Sequence, residues 1–454
     1  MSSTEMRRGL AAALALLLGL GLAANAGAQG MYYKEIVKEG RVYVFNDAKG
    51  AEGFEKSGEV GKAITMIGAG PNGETVVADS ETALELYYFK HGIARTVEKP
   101  KKPKMEITWK DGKTSMDFDK AQVNISNRLQ VRYTHEFPDD TITLPGAENA
   151  GDSKGSFRIR RAKFKIDGWF YKKELTYELQ LNWPAATGSN IGAFLEDANI
   201  DWDISKKKAF RIKFGQFKYP QGRQELTSSG NQEFVDRSLV ENRYGLGRDT
   251  GLQLWGTVLS DKLEWRVGAF NGNGLTRTLN DNAKFLLAAR LQIQPNGDPK
   301  YSEVDFDSKD KVLWAVAAFY NKNDLRFVST ANELDLDTWG FDAVVKKSGV
   351  FLTGAYYNRE AKPETGGELK DKGWYGQGGY LFGGQHWEVA FRYGEFDPSG
   401  LVVNDKQKEV GGVLSYYYNK HNLKLQGDFR QVKVESSAGD RKNNEVRIQT
   451  QFIF

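Results

Sequence analysis

Between Ala121 and Tyr133 apolar and polar side chains alternate residue by residue, and this period of two constrains the fold more than any other feature of the chain. Ala121, Val123, Ile125, Leu129, Val131 and Tyr133 share one face with Asn127, while Gln122, Asn124, Ser126, Arg128, Gln130 and Arg132 share the other. Successive side chains of a strand point to opposite faces, so the segment suits a sheet with lipid on one side and water on the other. The last segment repeats it, with Val446, Ile448, Thr450, Phe452 and Phe454 opposite Arg447, Gln449 and Gln451. Leu175 to Trp183, Phe210 to Phe214, Trp387 to Tyr393 and Leu423 to Phe429 carry comparable stripes. Counted this way, about sixteen segments recur from Glu106 onward, each near the length a tilted strand needs to cross a bilayer. An even count leaves both ends of the sheet on one side.

The connections sort into two kinds. Long ones are expected at Glu136 to Gly155, Pro184 to Gly192, Pro220 to Leu246, Gly272 to Asn282, Lys322 to Leu334, Glu360 to Lys370 and Asp397 to Gln407. The intervening ones are tight, at Tyr171-Lys172, Ser205 to Lys207, Ser260-Asp261, Lys347-Ser348, Gly383-Gly384 and Asn419-Lys420, with Pro295 to Asp310 the exception. Membrane barrels have this long and short rhythm; a soluble β-sandwich explains the strands but not the rhythm. The expected fold is therefore all-β: a transmembrane antiparallel up-and-down barrel of about 16 strands over residues 106–454, preceded by a small α+β domain.

The beginning of the chain fits export. Arg7 and Arg8 precede an apolar run from Leu10 to Ala24, and Ala26-Gly27-Ala28 offers a small-x-small cleavage site, so residues 1–28 read as a signal peptide. An uncleaved anchor helix is the alternative. Beyond that run no stretch of about eighteen apolar residues occurs, which excludes helical spans downstream. With 12% aromatic residues, 49 Gly, 11 Pro and a mean hydropathy of −0.55, the composition suits strands with one polar face. Zero Cys excludes disulfides, thiolate metal sites and a lipoprotein anchor. The formal charge of only +4 offers no reason to expect nucleic acid as a partner.

Residues 29–97 mix short β-like runs, Arg41 to Phe45 and Ile64 to Ile67, with one helix from Ser80 to His91, capped by Asp79 or Ser80 and stopped by Gly92. A Lys- and Pro-rich linker, Glu98 to Lys104, separates this domain from the barrel. Gly68-Ala69-Gly70-Pro71-Asn72-Gly73 has the letters of a dinucleotide fingerprint, but Pro71 and Asn72 suit a turn, and no cofactor is expected. His91, His135, His386 and His421 are too scattered for a local metal motif, and no nucleophile-elbow motif occurs, so neither metal nor catalytic residues are assigned.

Several central segments resemble the phosphate-selective porins O and P: Arg160 to Phe164, Leu195 to Asp201, Ile212 to Pro220, Gln224 to Ser229, Asp236 to Leu239, Gly247 to Gly251 and Gly268 to Gly274. The closing stretch from Tyr416 to Phe454 is similar to that family's last hairpin, and the likeness covers roughly Glu106 to Phe454. The resemblance implies a sixteen-stranded, trimeric barrel in the bacterial outer membrane, with basic side chains along the route and the third external loop folded inward. Here that loop is Pro220 to Leu246, which holds Arg223, Arg237 and Arg243 but also Glu225, Glu233, Asp236 and Glu241. Mixed charge argues against strict phosphate specificity.

On the strands, Arg161, Lys163 and Lys165 share one face opposite Ala162, Phe164 and Ile166, and Arg211 with Lys213 repeats this opposite Phe210, Ile212 and Phe214. With Arg128 and Arg132 these form a basic ladder, and rings of Arg and Lys lower the barrier for anions. The competing reading is a solvated lumen in which Glu178, Asp197, Asp201 and Asp203 neutralise the same bases. Trp183, Tyr219, Tyr393 and Tyr416 to Tyr418 fall near strand ends, as headgroup anchors do. The expectation is passive diffusion of small hydrophilic solutes biased to anions such as phosphate. The expected partners are those anions, the bilayer with its lipopolysaccharide and the barrel-assembly machinery, which reads a C-terminal aromatic like Phe454. The alternative is a barrel that anchors the domain of residues 29–97, placed in the periplasm, for binding peptidoglycan or another envelope protein.

Overall fold

A computed structural model describes residues 32–93, 105–138, 153–183, 194–245, 247–276, 279–308, 310–327, 332–400, 402, 404–437 and 439–454. The expected signal segment and the Lys/Pro linker lie outside them. The chain divides into two units, Met1–Lys102 and Pro103–Phe454.

In the first unit β1 (Lys34–Lys38), β2 (Arg41–Phe45), β3 (Ile64–Met66) and β4 (Thr75–Ala78) form a sheet in the order β1-β2-β4-β3, with β2 and β4 parallel. Two helices accompany it, α1 (Ala48–Ser57) and α2 (Glu81–Lys90). The Ser80 hydroxyl accepts from the Ala83 amide at 3.1 Å, which settles the choice of cap for α2. Helix α1 was not expected, because Gly50 and Gly53 weaken its propensity. It forms because Ala51 and Phe54 bury against Phe45, Asp47 caps the Gly50 amide at 2.8 Å and Gly58 closes it at φ 73°. Val42 and Val44 pack with Leu84 and Tyr87 of α2, whereas Phe45, one residue on, packs with α1, so each face of the sheet is covered by one helix. Gly68 to Gly73 is a turn into β4 and starts no helix.

The second unit begins with a hairpin, β5 (Glu106–Lys110) and β6 (Lys113–Phe118). Then come β7 (Ala121–Pro138), β8 (Lys154–Phe170), β9 (Lys172–Asn182), β10 (Phe194–Asp203), β11 (Arg211–Lys218), β12 (Arg248–Val258), β13 (Leu263–Phe270) and β14 (Leu286–Ile293). The other eight are β15 (Leu313–Phe327), β16 (Asn332–Lys347), β17 (Val350–Pro363), β18 (Leu369–Phe382), β19 (Trp387–Asp397), β20 (Gln407–Asn419), β21 (Leu423–Val434) and β22 (Arg441–Ile453). Strands β7 to β22 pair antiparallel in sequence order and close when β22 pairs with β7, from Asn443 opposite Pro138 to Ile453 opposite Arg128. The barrel therefore has sixteen strands. Phe454 extends the seam: its amide donates to the Asn127 carbonyl at 3.0 Å and its carbonyl accepts from the Asn127 amide at 2.6 Å. Closure leaves no row of unpaired backbone groups, which a hydrocarbon environment would not tolerate.

Side chains follow the expected alternation. Trp387, Val389, Phe391 and Tyr393 point outward and are exposed, while Glu388, Arg392 and their neighbours are buried inside. Three expectations fail. Lys322 to Leu334 is mostly strand rather than loop, since Lys322 pairs with Asp337 and Leu325 with Leu334. Beyond the exposed Tyr320 and Trp339 the same face carries Lys322, Asp324, Asp335 and Asp337, so the apolar outward stripe ends although the pairing continues. Tyr219 is only 2% exposed, packed in edge contact on Phe270, so it is not a headgroup anchor. Tyr417 likewise turns inward, its hydroxyl donating to Glu388 at 2.5 Å, while Tyr418 faces out.

Candidate functional site: a basic cavity beside an inward loop

The third long connection, between β11 and β12, folds into the barrel. It carries two short helices, α3 (Arg223–Leu226) and α4 (Leu239–Tyr244), and most of its residues are buried. The reason lies in its polar groups, which find partners on the far wall. The Arg223 amide donates to Asp342 of β16 at 3.1 Å, and the Tyr357 hydroxyl of β17 donates to Glu241 at 2.6 Å. The Leu239 amide donates to Glu409 of β20 at 2.5 Å. Lys424 of β21 donates to the Gln232 carbonyl at 2.7 Å, and Arg132 of β7 pairs with Asp236 at 2.5 Å. Tyr244 stacks on Tyr357 with centroids 4.7 Å apart. The loop thus leans on β7 and β16 to β21.

Opposite, against β7 to β13, space remains. A cavity of about 420 Å³ is bounded by Leu226, Ser228, Ser229 and Arg237 of the loop and by the inner wall. Ten basic side chains line it against three acidic ones, Glu178, Glu196 and Asp197. All three acids are engaged: Lys165 meets Glu178 at 3.1 Å, Arg248 meets Asp197 at 2.9 Å, and Lys163 pairs with Glu196. Three of the bases, Arg128, Lys213 and Lys218, have no carboxylate partner among the described residues. Arg128 donates to the Ser228 and Ser229 hydroxyls at 3.1 and 3.3 Å, Lys213 sits 4.7 Å from the Phe217 ring centre, and Lys218 donates to the Thr227 carbonyl at 2.9 Å. Excess positive charge in a confined, partly desolvated space is what an anion meets as a favourable field.

Of the ten basic residues singled out in the sequence, Arg128, Arg161, Lys163, Lys165, Lys213 and Arg237 come together here. The other four do not. Arg132 is taken by Asp236 and Gln449, Arg211 pairs with Asp201 at 3.0 Å and lies over Trp255, the Arg223 guanidinium donates to Gln292 of β14 at 3.4 Å and to the Lys300 carbonyl, and Arg243 lies over Phe396. Four bases were missed: Arg160, Lys218, Arg248 and Arg266. Arg160 should face lipid by strict alternation, but a bulge opposite Gln130 and Val131 turns it into the lumen beside Arg161. A second bulge, between Leu195 and Asp197, places Glu196 and Asp197 both inside. Lys218 and Arg248, which pair across the ends of β11 and β12, lie where the inward loop leaves the wall. The quoted motif around Gly247-Arg248-Asp249 was the available signal for Arg248.

A closed sixteen-stranded barrel, apolar outside, with an inward loop beside a charged cavity, defines an outer-membrane channel of the porin class. Residues 131–454 match the family described as phosphate-selective porin O and P, and the chain belongs to that family. It resides in the bacterial outer membrane. No curated protein matches it in sequence. Among solved structures it is similar to an anion-selective porin from Comamonas acidovorans, at 12% identity and a TM-score of 0.56 over 74% of this chain and 100% of that one. It is also similar to the outer-membrane channel DcaP of Acinetobacter baumannii, at 13% identity and 0.54 over 74% and 98%. A loop-deletion form of OmpT from Vibrio cholerae follows, at 10% and 0.51 over 74% and 100%. At these identities the likeness shows the fold.

Proposed function

We propose that this porin admits small hydrophilic solutes by passive diffusion with a bias toward anions, phosphate and other oxyanions included, and that they pass through the basic cavity. The observation that carries the reading is the imbalance of ten bases against three already paired acids. Arg128, Lys213 and Lys218 are the groups left to exchange an oxyanion's water for charge-assisted hydrogen bonds. The acids make the filter a general anion track more than a strict phosphate site. Single-channel recording in a planar bilayer under a KCl gradient tests this: an anion-biased reversal potential is expected, and a cation-biased or absent current would sink it. Family membership supports a homotrimer, which native mass spectrometry in detergent would check.

The α+β domain favours a second, compatible role. It has its own two apolar clusters, one under each helix, so it does not depend on the barrel for a core. The barrel begins and ends on its short-turn side, which supports placing this domain in the periplasm as a module that binds peptidoglycan or an envelope protein. Pull-down from solubilised envelopes with the full chain and with a chain lacking residues 32–93 would separate the two roles.

A further inference from the structure

The connection between β14 and β15 lies on the side of the barrel where other connections are tight, yet it runs for residues 294–312. A turn of that length hanging in water would expose its charges. Here Glu303 and Asp305 are buried, and the chain around them has entered the barrel from the opposite end to the third loop.

The two segments hold each other. The Glu303 amide donates to the Asn231 carbonyl at 2.8 Å, and the Glu233 amide donates back to the Glu303 carboxylate at 2.7 Å. Gln224 donates to the other carboxylate oxygen at 3.0 Å, and Arg223 donates to the Lys300 carbonyl. On the wall side His421 bonds the Glu303 carbonyl at 2.9 Å, and Asp305 accepts from the Gly349 amide at 3.0 Å. Val304 sits at φ 68°, a left-handed conformation that a β-branched residue adopts only where its surroundings hold it. Those surroundings are Leu381, Tyr417 and Phe306. Such a segment is built into the lumen.

Its tip reaches the cavity. Tyr301 lines the same space as Arg128, Lys213 and the loop serines. Its hydroxyl donates to Glu264 at 2.6 Å, and the guanidinium groups of Arg223, Arg266 and Arg290 surround its ring at 4.8, 5.2 and 5.9 Å. The ring therefore occupies lumen volume and packs on three guanidinium groups, of which that of Arg266 lines the cavity and is left less free to meet a passing anion.

We propose that the constriction of this channel is built from both ends, and that Tyr301, carried in by the connection 294–312 and clamped to the third loop through Glu303, is a specificity-determining residue of the anion route. The inference rests on the cavity being that route. Because the chain has no Cys, Tyr301→Cys introduces a unique thiol for the full-length protein in planar bilayers. The smaller side chain should raise single-channel conductance roughly 1.5-fold, by widening the route. Modification with a sulfonate-bearing thiosulfonate should then shift the reversal potential toward cations, and a trimethylammonium-bearing one toward anions. Tyr418→Cys, on the outer wall, should label with neither effect. Tyr301→Trp supplies the opposite direction, a narrower route and lower conductance, should the cysteine variant fail to fold. Unchanged conductance in a folded variant, a thiol that does not react, or two adducts acting alike would overturn the inference alone. A folded parent chain that passes no current overturns it together with the anion-channel reading.

Discussion

The two halves of the lumen use the same residue types to opposite ends. Toward β14 to β22 three arginines are locked to acids, while Lys424 is held by the Gln232 carbonyl: Arg290 meets Asp342 at 2.5 Å, Arg447 meets Asp428 at 2.7 Å and Arg430 meets Glu409 at 3.0 Å. The inward loop and the connection 294–312 fill the remaining space. Toward β7 to β13, Arg128, Lys213 and Lys218 face an open cavity and make no ion pair among the described residues, their direct partners being hydroxyls, a ring and a carbonyl. In the cavity half, a base is left free for a solute where no carboxylate lies within ion-pair distance of it. Residue type alone does not decide.

The sharpest way to break that contrast is Asp342→Ala. It leaves Arg290 buried without its partner and removes the acceptor of the Arg223 amide, so a loss of about 3–5 kcal/mol is expected in denaturant unfolding. A change within error would mean that the far half does not depend on its pairs. On the open side, Lys213→Gln combined with Arg128→Ser should leave unfolding nearly unchanged. The same double variant should cut the anion-over-cation permeability ratio roughly fivefold, equivalent to about 1 kcal/mol for charges in a partly wet lumen. An unchanged reversal potential would remove the cavity from the route.

Salt distinguishes the halves more gently. Raising ionic strength from about 0.1 to about 1 M shortens the screening length from roughly 10 to 3 Å, so anion preference should fall while the unfolding midpoint of the buried pairs holds. A preference insensitive to salt would point to geometric filtering. The smallest effect belongs outside the barrel. Burial raises the Glu35 carboxyl, but hydrogen bonds from Tyr33, His91 and Lys90 outweigh that and hold it below the usual carboxylate range. A depressed carboxyl contributes stability above its unfolded value, lost as pH falls through the folded one. Hydrogen exchange of the α+β domain should therefore quicken below about pH 4, by an amount on the order of 1 kcal/mol or less. Glu35→Gln should remove that acid dependence, and an identical acid profile in the variant would refute the assignment.

Much of this molecule was legible in the chain because a membrane barrel writes its environment into alternate residues. Val446 to Phe454 face outward and Arg447 to Gln451 inward as the pattern requires, and Phe454 lies on the seam at 55% exposure. Arg237 and the family likeness came from the loop and motif segments, whereas the strand count and five of the ten basic residues now lining the cavity came from the same pattern. It failed where the period of two is broken or irrelevant. The bulge at Arg160 moves a base from the lipid face to the lumen, and around Lys322 the outward face of the hairpin turns polar.

Pairing across the lumen was beyond the sequence. Arg223 and Arg237 belong to one loop and look alike in the chain, yet the Arg223 guanidinium is held by Gln292 and the Lys300 carbonyl while Arg237 lines the cavity. Their partners lie tens to hundreds of residues away and meet them only after the barrel closes. Alternation alone decided that the chain makes strands with one wet face, since each side chain reports its own surroundings. Which charges remain free for a solute was decided by closure and by the two inward segments, because neutralisation depends on what stands opposite in space.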